Sequence, residues 1–393
     1  MTRHMPDLTP PLPPAELINS LITGDLPSLG QLQLGRMHFP SGRAPHAQLH
    51  VGARPWIAEW IGAATAERVI LEEERLARIG QPSTLRFDAA TGLLLRQPGT
   101  DAKLPGLKLL ADPALSAETL RRLGLKAPFR LELAAHRLGR RAVLRIRHAH
   151  GTAFARLRSP TARAGLAAID RHQALWQALR GRTDLRLPEP LGTDRALGLA
   201  LYSALPGRAL ALRGLRGFAE IEAAAKALSA LQSVTIDAPL WTVEDELVLL
   251  GQWQTRIEVW FPDFGDLLRP KLQALSHDLR ALPAMSPVTC HRDLHEGQIL
   301  SFRGRAGLLD FDTLSRGDPA LDLGNLQAHL DFAGLRKSRN FAAYSTAAER
   351  IFPQVPLARI GLWRRAARLR LAMIWAFSAE PRAHLLALLE DVS

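Results

Sequence analysis

The chain has 393 residues, more than a single hydrophobic core ordinarily serves, so two or three substructures are expected. Hydrophobic residues make up 47%, and no apolar run is long enough for a bilayer span, so membrane insertion is not expected. The formal net charge is +12, but only six of the 50 basic residues are lysine; the arginines are scattered through an Ala- and Leu-rich chain and form no basic helix interleaved with aromatics, which speaks for compositional bias and against a nucleic-acid surface. Met1 to Pro14 is polar and proline-rich and lacks the basic-then-apolar pattern of a secretory leader. The single cysteine, Cys290, excludes an internal disulfide, so the cytoplasm is the expected compartment.

Residues 1 to about 30 read as an arm. QLQLGRMHF and HAQLHV, between Gln31 and Val51, alternate as strands around the turn SGRAP, and a third strand is expected at Trp56 to Ile61. Ala64 to Ile79 has helical apolar spacing. The same order recurs downstream, with strands at Phe129 to Ala135, Ala142 to Arg147 and Gly151 to Arg158, then an amphipathic helix from Ala164 to Leu179. RMHFPSGRAPHAQLHV beside AHRLGRRAVLRIRH reads as a degenerate internal duplication. Between the two, Gly99 to Leu125 holds LPGLKLL and a capped helix expected to start near Ser116. Further strands are expected at Leu187 to Leu191 and Leu197 to Ser203.

After Pro206-Gly207 the pattern turns helical, with helices expected at Phe218 to Leu231, Val243 to Trp260 and Leu267 to Leu282. One short β island, Val288 to Phe311, interrupts it before more helices from Pro319 to Leu389. Strands up to about residue 205 and helices beyond predict an α+β, two-lobed chain.

The chemistry is concentrated in VTCHRDLHEGQILSFRGRAGLLDFDTLSRGDPALDLGNL, residues 288–326. Asp293 follows His291-Arg292, Gln298 lies five residues on, and Asp310-Phe311-Asp312 comes after a hairpin. Phosphoryl transfer asks for a carboxylate near the attacking hydroxyl and for hard oxygen ligands on the metal that holds the triphosphate. Asp293 has the place of such a base, and Gln298 and Asp310 the places of the ligands.

This window resembles the aminoglycoside phosphotransferase and choline kinase family, relatives of the protein kinases: a His-x-Asp loop, an amide ligand five residues later, then an Asp-containing Mg²⁺ motif. The resemblance implies a bilobal protein-kinase-like fold with a small β-rich N-lobe (residues 111–205) and a larger helical C-lobe (206–393), and a cap-like α/β extension ahead of them (1–110). It also implies ATP as co-substrate, Mg²⁺ as cofactor and a small-molecule hydroxyl as acceptor, a sugar, an amino alcohol or an aminoglycoside. Asp293 would be the catalytic base, Gln298 and Asp310 metal ligands, and Asp322 a brace for the catalytic loop, with His291 and Asp312 as supports. Arg140 to Arg145 looks like the family's early hairpin.

Three departures qualify the resemblance. The lysine expected on the third strand is absent, since none occurs between Lys126 and Lys226; Arg156 stands in its place, with Arg158 as the alternative and Arg140 available at the turn to meet phosphate. The partner glutamate on the next helix is absent, and His172 falls there. The usual loop asparagine is Gln298, whose carbonyl remains a competent hard ligand. The lost Lys–Glu pair motivates an alternative reading, a pseudokinase retained as a nucleotide- or partner-binding module with little turnover.

Overall fold

The computed structural model describes residues 32–38, 46–51, 54–61, 66–89, 92–378 and 380–390. The expected arm (1 to about 30) and the SGRAP turn lie outside them. The first unit comprises β1 (Leu32–His38), β2 (His46–Val51), β3 (Arg54–Trp60), α1 (Ala66–Arg78), β4 (Arg86–Asp88) and β5 (Leu93–Arg96). Its antiparallel sheet has the order β1-β2-β3-β5-β4. The second unit runs β6 (Arg130–Arg137), β7 (Arg141–His148), β8 (Gly151–Arg158), α3 (Arg163–Leu179), β9 (Leu185–Arg186), β10 (Pro190–Asp194) and β11 (Leu199–Ser203), and is preceded by α2 (Pro113–Arg122). Its five-stranded sheet reads β6-β7-β8-β11-β10, the order of the first sheet with the helix again following the third strand.

Period-2 alternation in β8 decides which residues reach the cleft. Ala153, Ala155 and Leu157 are buried on one face, beneath Leu104, Leu107 and Leu120 of the 104–125 segment, which roofs the sheet. Phe154 and Arg156 therefore lie on the opposite face, where they line the cleft toward the helical half. Gly198 turns β10 into β11 with φ +61, and a Cβ there would meet the Arg158 carbonyl oxygen at 1.9 Å; only glycine fits.

The C-terminal half holds β12 (Arg208–Ala209), α4 (Gly214–Gln232), β13 (Leu240–Trp241), α5 (Val243–Trp260), α6 (Pro262–Arg280), β14 (Val288–Cys290), β15 (Ile299–Phe302), β16 (Arg305–Leu308) and β17 (Ser315–Gly317). It closes with α7 (Leu321–Lys337), α8 (Ala342–Glu349), α9 (Leu357–Trp375) and α10 (Arg382–Ala387). The main core packs α4 through Ala224 and Leu228, α7 through Leu323 and Leu326, and α9 through Leu369 and Ala372.

Several local expectations are corrected. The helix expected near Ser116 begins at Pro113, because the Asp112 side chain accepts from Leu115 N–H and proline suits the first helical turn. The strand expected at Leu187 to Leu191 is two strands split around Pro188, which lacks a ladder N–H. The helix expected from Leu267 starts at Pro262, and Pro270 sits inside it. Strands outside the expected β island also occur in this half: β12 pairs with β15 and β13 with β17. The hairpin β4–β5 is an element the sequence reading did not contain.

Candidate active site

Asp322 organises the loop that follows β14. It is fully buried at the start of α7, and its two carboxylate oxygens accept from the His291 and Arg292 N–H groups, each at 2.6 Å. These bonds hold Arg292 at φ +68, in the left-handed region. Its guanidinium lies over the Trp241 ring, 3.2 Å from the centroid. Burial pushes the Asp322 carboxyl up, against the His291 imidazole and its N–H donor, which pull it down. His291 is fully buried and its Nε2 lies 2.7 Å from the Leu309 carbonyl, so it ties the loop after β14 to the segment between β16 and Asp310. Thr313 Oγ1 donates to the His291 carbonyl at 2.8 Å. Asp293 follows, exposed.

Asp310 also adopts a left-handed backbone, φ +63, two residues beyond the end of β16. A non-glycine residue there stores strain that clusters at functional sites. Gln298 lies beside it, its side-chain amide 3.5 Å from Asp310 Oδ2. Three arginines from β7 and β8 converge on the motif. Arg156 Nη2 is 2.7 Å from Asp310 Oδ1, and Arg141 Nη1 is 3.1 Å from Asp310 Oδ2. Arg141, Arg156 and Arg158 all pair with Asp312. Desolvation works against the Asp310 carboxylate, but Arg156 and Arg141 outweigh it and hold its pKa far below the usual carboxylate range. The aspartate is thus ionised at any working pH.

Above these carboxylates lies a cavity of about 470 Å³ lined by Arg137, Arg141, Val143, Phe154, Arg156, His172, Tyr202, Leu300 and Asp310, among others. Its walls combine apolar surface for a flat ring with guanidinium groups at one end. His172 is buried where the sequence pattern lacked a glutamate; one ring nitrogen lies 2.8 Å from the Pro188 carbonyl and the ring packs on Tyr202 and Phe311. Burial pushes its imidazole down to about 4. An unfolded histidine binds a proton near pH 6.5. As pH falls the unfolded chain is therefore protonated first, and stability is lost from about pH 6.5 down to about 4, by about 3 kcal/mol in total. Urea unfolding of wild type and His172→Phe checks this. The wild type should lose about 2 kcal/mol relative to the variant between about pH 7.5 and about pH 5, and a difference constant with pH would refute it.

The structure thus brings Gln298, Asp310, Asp312, Arg156 and Arg158 together, with His291 and Asp322 beneath them. Arg140 stands apart, exposed at the β6–β7 turn and not among the residues lining the cavity. Asp318 is a turn residue that accepts from Ala320 N–H at 2.9 Å and pairs with Arg359. Cys290 is buried, its thiol pushed well up by desolvation and by the nearby Asp322 and Asp318 carboxylates, an environment that disfavours the thiolate. Sequence reasoning missed Arg141 and Arg137. Their signal was present, since Arg137 and Arg141 are the paired residues flanking the Leu138-Gly139-Arg140 turn, but a run of arginines in an arginine-rich chain does not announce itself.

A two-lobed α+β chain with this loop-and-carboxylate arrangement defines a phosphotransferase of protein-kinase-like fold. Residues 130–355 match the model of the phosphotransferase enzyme family, and the chain belongs to that family. It is a small-molecule phosphotransferase. No curated protein matches the sequence. Among solved structures, the GDP complex of wild-type aminoglycoside 2'-phosphotransferase-IIIa aligns with a TM-score of 0.53 at 15% identity, covering 71% of this chain and 96% of that one. Amicoumacin kinase hAmiN, in complex with AMP-PNP, Ca²⁺ and Ami, aligns with a TM-score of 0.51 at 15% identity, covering 70% and 92%. At these identities the likeness is one of fold.

Proposed function

We propose that the protein transfers the γ-phosphoryl group of ATP to a hydroxyl of a small molecule, with Mg²⁺ as cofactor. The observation that carries this reading is the approach of Gln298 to Asp310, held in a left-handed backbone at the floor of a cleft walled by arginines. The donor set suits the ion. A carboxylate and an amide carbonyl are hard oxygen ligands, and turning the Gln298 amide over presents its oxygen beside Asp310. When bound, Mg²⁺ would neutralise charge on the β- and γ-phosphates.

Asp293 would accept the acceptor hydroxyl's proton as its oxygen bonds to the γ-phosphorus and the bond to ADP breaks. Arg141, Arg156 and Arg158 would meet the phosphates in the place of the missing lysine, bidentately where a lysine would act as a point charge. That substitution answers half of the case for an inactive module, because the charge of the lysine is present although the residue type is not; the glutamate's place is still taken by His172. Fold neighbours in complex with AMP-PNP and with GDP support nucleotide binding. We take residues 111–205 as the N-lobe, 206–393 as the C-lobe and 1–110 as an added unit. ATP use and the single buried thiol fit a cytoplasmic enzyme. Calorimetric titration of ATP with and without Mg²⁺, followed by a phosphate-transfer screen over sugars, amino alcohols and aminoglycosides, tests the reading. Metal-dependent binding and one acceptor that turns over are expected; no binding up to millimolar ATP would sink it.

A further inference from the structure

We propose that the N-terminal unit is a second copy of the N-lobe converted from a nucleotide wall into a clamp, and that its Asp101 is a positioning residue that holds the β6–β7 phosphate hairpin in place. The inference rests on the functional reading above.

Likeness between the two units extends to the turn before the last strand. DAATGLLL (88–95) and DRALGLAL (194–201) share Asp, Ala, Gly, Leu and Leu at equal spacing. Asp88 pairs with Leu93 as Asp194 pairs with Leu199, and the turn glycines have φ +66 and +61. This register puts Glu59, opposite Leu94, at the position of Arg156, opposite Ala200. It likewise puts Arg96 at the position of Tyr202.

The charges at those positions are closed on one another in the first unit. Arg96 Nη2 is 2.7 Å from Glu59 Oε1 and Arg96 Nη1 is 3.1 Å from Glu72 Oε1, with the Arg96 side chain 4% exposed. A nucleotide would have to break a buried network to enter, so a second nucleotide site is not what this copy offers.

Its contacts instead reach the hairpin. Asp101 is 2% exposed. Its Oδ2 accepts from the Gly139 N–H in the hairpin turn and lies 3.3 Å from His136 Nε2. The other ring nitrogen of His136 accepts from the Gly99 N–H at 3.2 Å, which leaves the proton on Nε2, aimed at Asp101. Gln48 of β2 donates to the His136 carbonyl at 3.0 Å. Gln81, after α1, fixes Asp101 itself through its backbone N–H at 2.7 Å. The first unit therefore grips both His136 and Gly139, and between and beside them are Arg137, Arg140 and Arg141. Arg137 and Arg141 line the cleft and Arg141 reaches Asp310. A loop that would otherwise order only around phosphate is ordered beforehand.

The test uses the full chain, Asp101→Asn and His136→Ala, with Mg–ATP as the probe. Asparagine keeps the shape but turns an amide toward the hairpin donors. Calorimetry should show Mg–ATP bound about tenfold more weakly by both variants, the entropic penalty of a loop no longer pre-organised. Hydrogen exchange followed by mass spectrometry should quicken at residues 137–141 and remain unchanged in α4 and α7. Failure of the wild type to bind ATP would sink the functional reading and this inference with it. Wild-type binding matched by both variants, whatever their thermal stability, would overturn the inference alone.

Discussion

Replacing Asp293 with asparagine should lower kcat by about a thousandfold and leave the Kd for Mg–ATP within a factor of about two, since general-base catalysis contributes roughly 10²–10⁴ in rate. This side chain does little else. It is exposed on a loop whose geometry is imposed from beneath by Asp322 and His291, and its carboxylate makes no hydrogen bond or ion pair among the described residues. Its loss should therefore cost chemistry and not folding. Steady-state kinetics with the acceptor found in the screen, alongside nucleotide titration, separates the two. A variant that keeps wild-type kcat would remove Asp293 from the reaction.

Asp310→Asn should abolish the enhancement of ATP binding by Mg²⁺, a loss of at least about a hundredfold when a charged group is removed from a partly buried site. Asparagine is the variant of choice because it tolerates the left-handed backbone that Asp310 adopts, so the result does not report relieved strain. Arg141, Arg156 and Arg158 keep Asp312 as a partner in the variant, which should hold the lobes in register. Calorimetry with and without metal reads the outcome. If the variant binds Mg–ATP as the wild type does, the metal lies elsewhere.

The lobes were legible because the sequence changes period near residue 205, from alternating strands to helices. The approach of Gln298 to Asp310 was legible because both fall within one window whose spacing a strand–loop–strand unit imposes. Much of the remaining site was not. Arg141 reaches Asp310 from a strand 169 residues earlier in the chain, and no local pattern encodes a contact at that separation. The hairpin Arg86–Asp88 and Leu93–Arg96 went unread because β4 is only three residues long, too short for alternation to register. Asp101 drew no reading at all, because its partners His136 and Gly139 lie 35 and 38 residues further along the chain.

The cluster at Asp310 and Asp312 sets three guanidinium groups against two carboxylates, so both carboxylates are already paired before any ligand arrives and one positive charge is left over. A divalent cation arriving alone would have to evict arginines into an already positive cleft, and a nucleotide arriving alone would compete with carboxylates for those same arginines. Arriving together, each would relieve the other's penalty: the guanidinium groups would hold the phosphates and Asp310 would hold the metal. By linkage the help is mutual and equal in size. The enzyme would then favour the metal–nucleotide complex as one unit over either component, an exchange of ionic partners that leaves the balance of charge nearly unchanged.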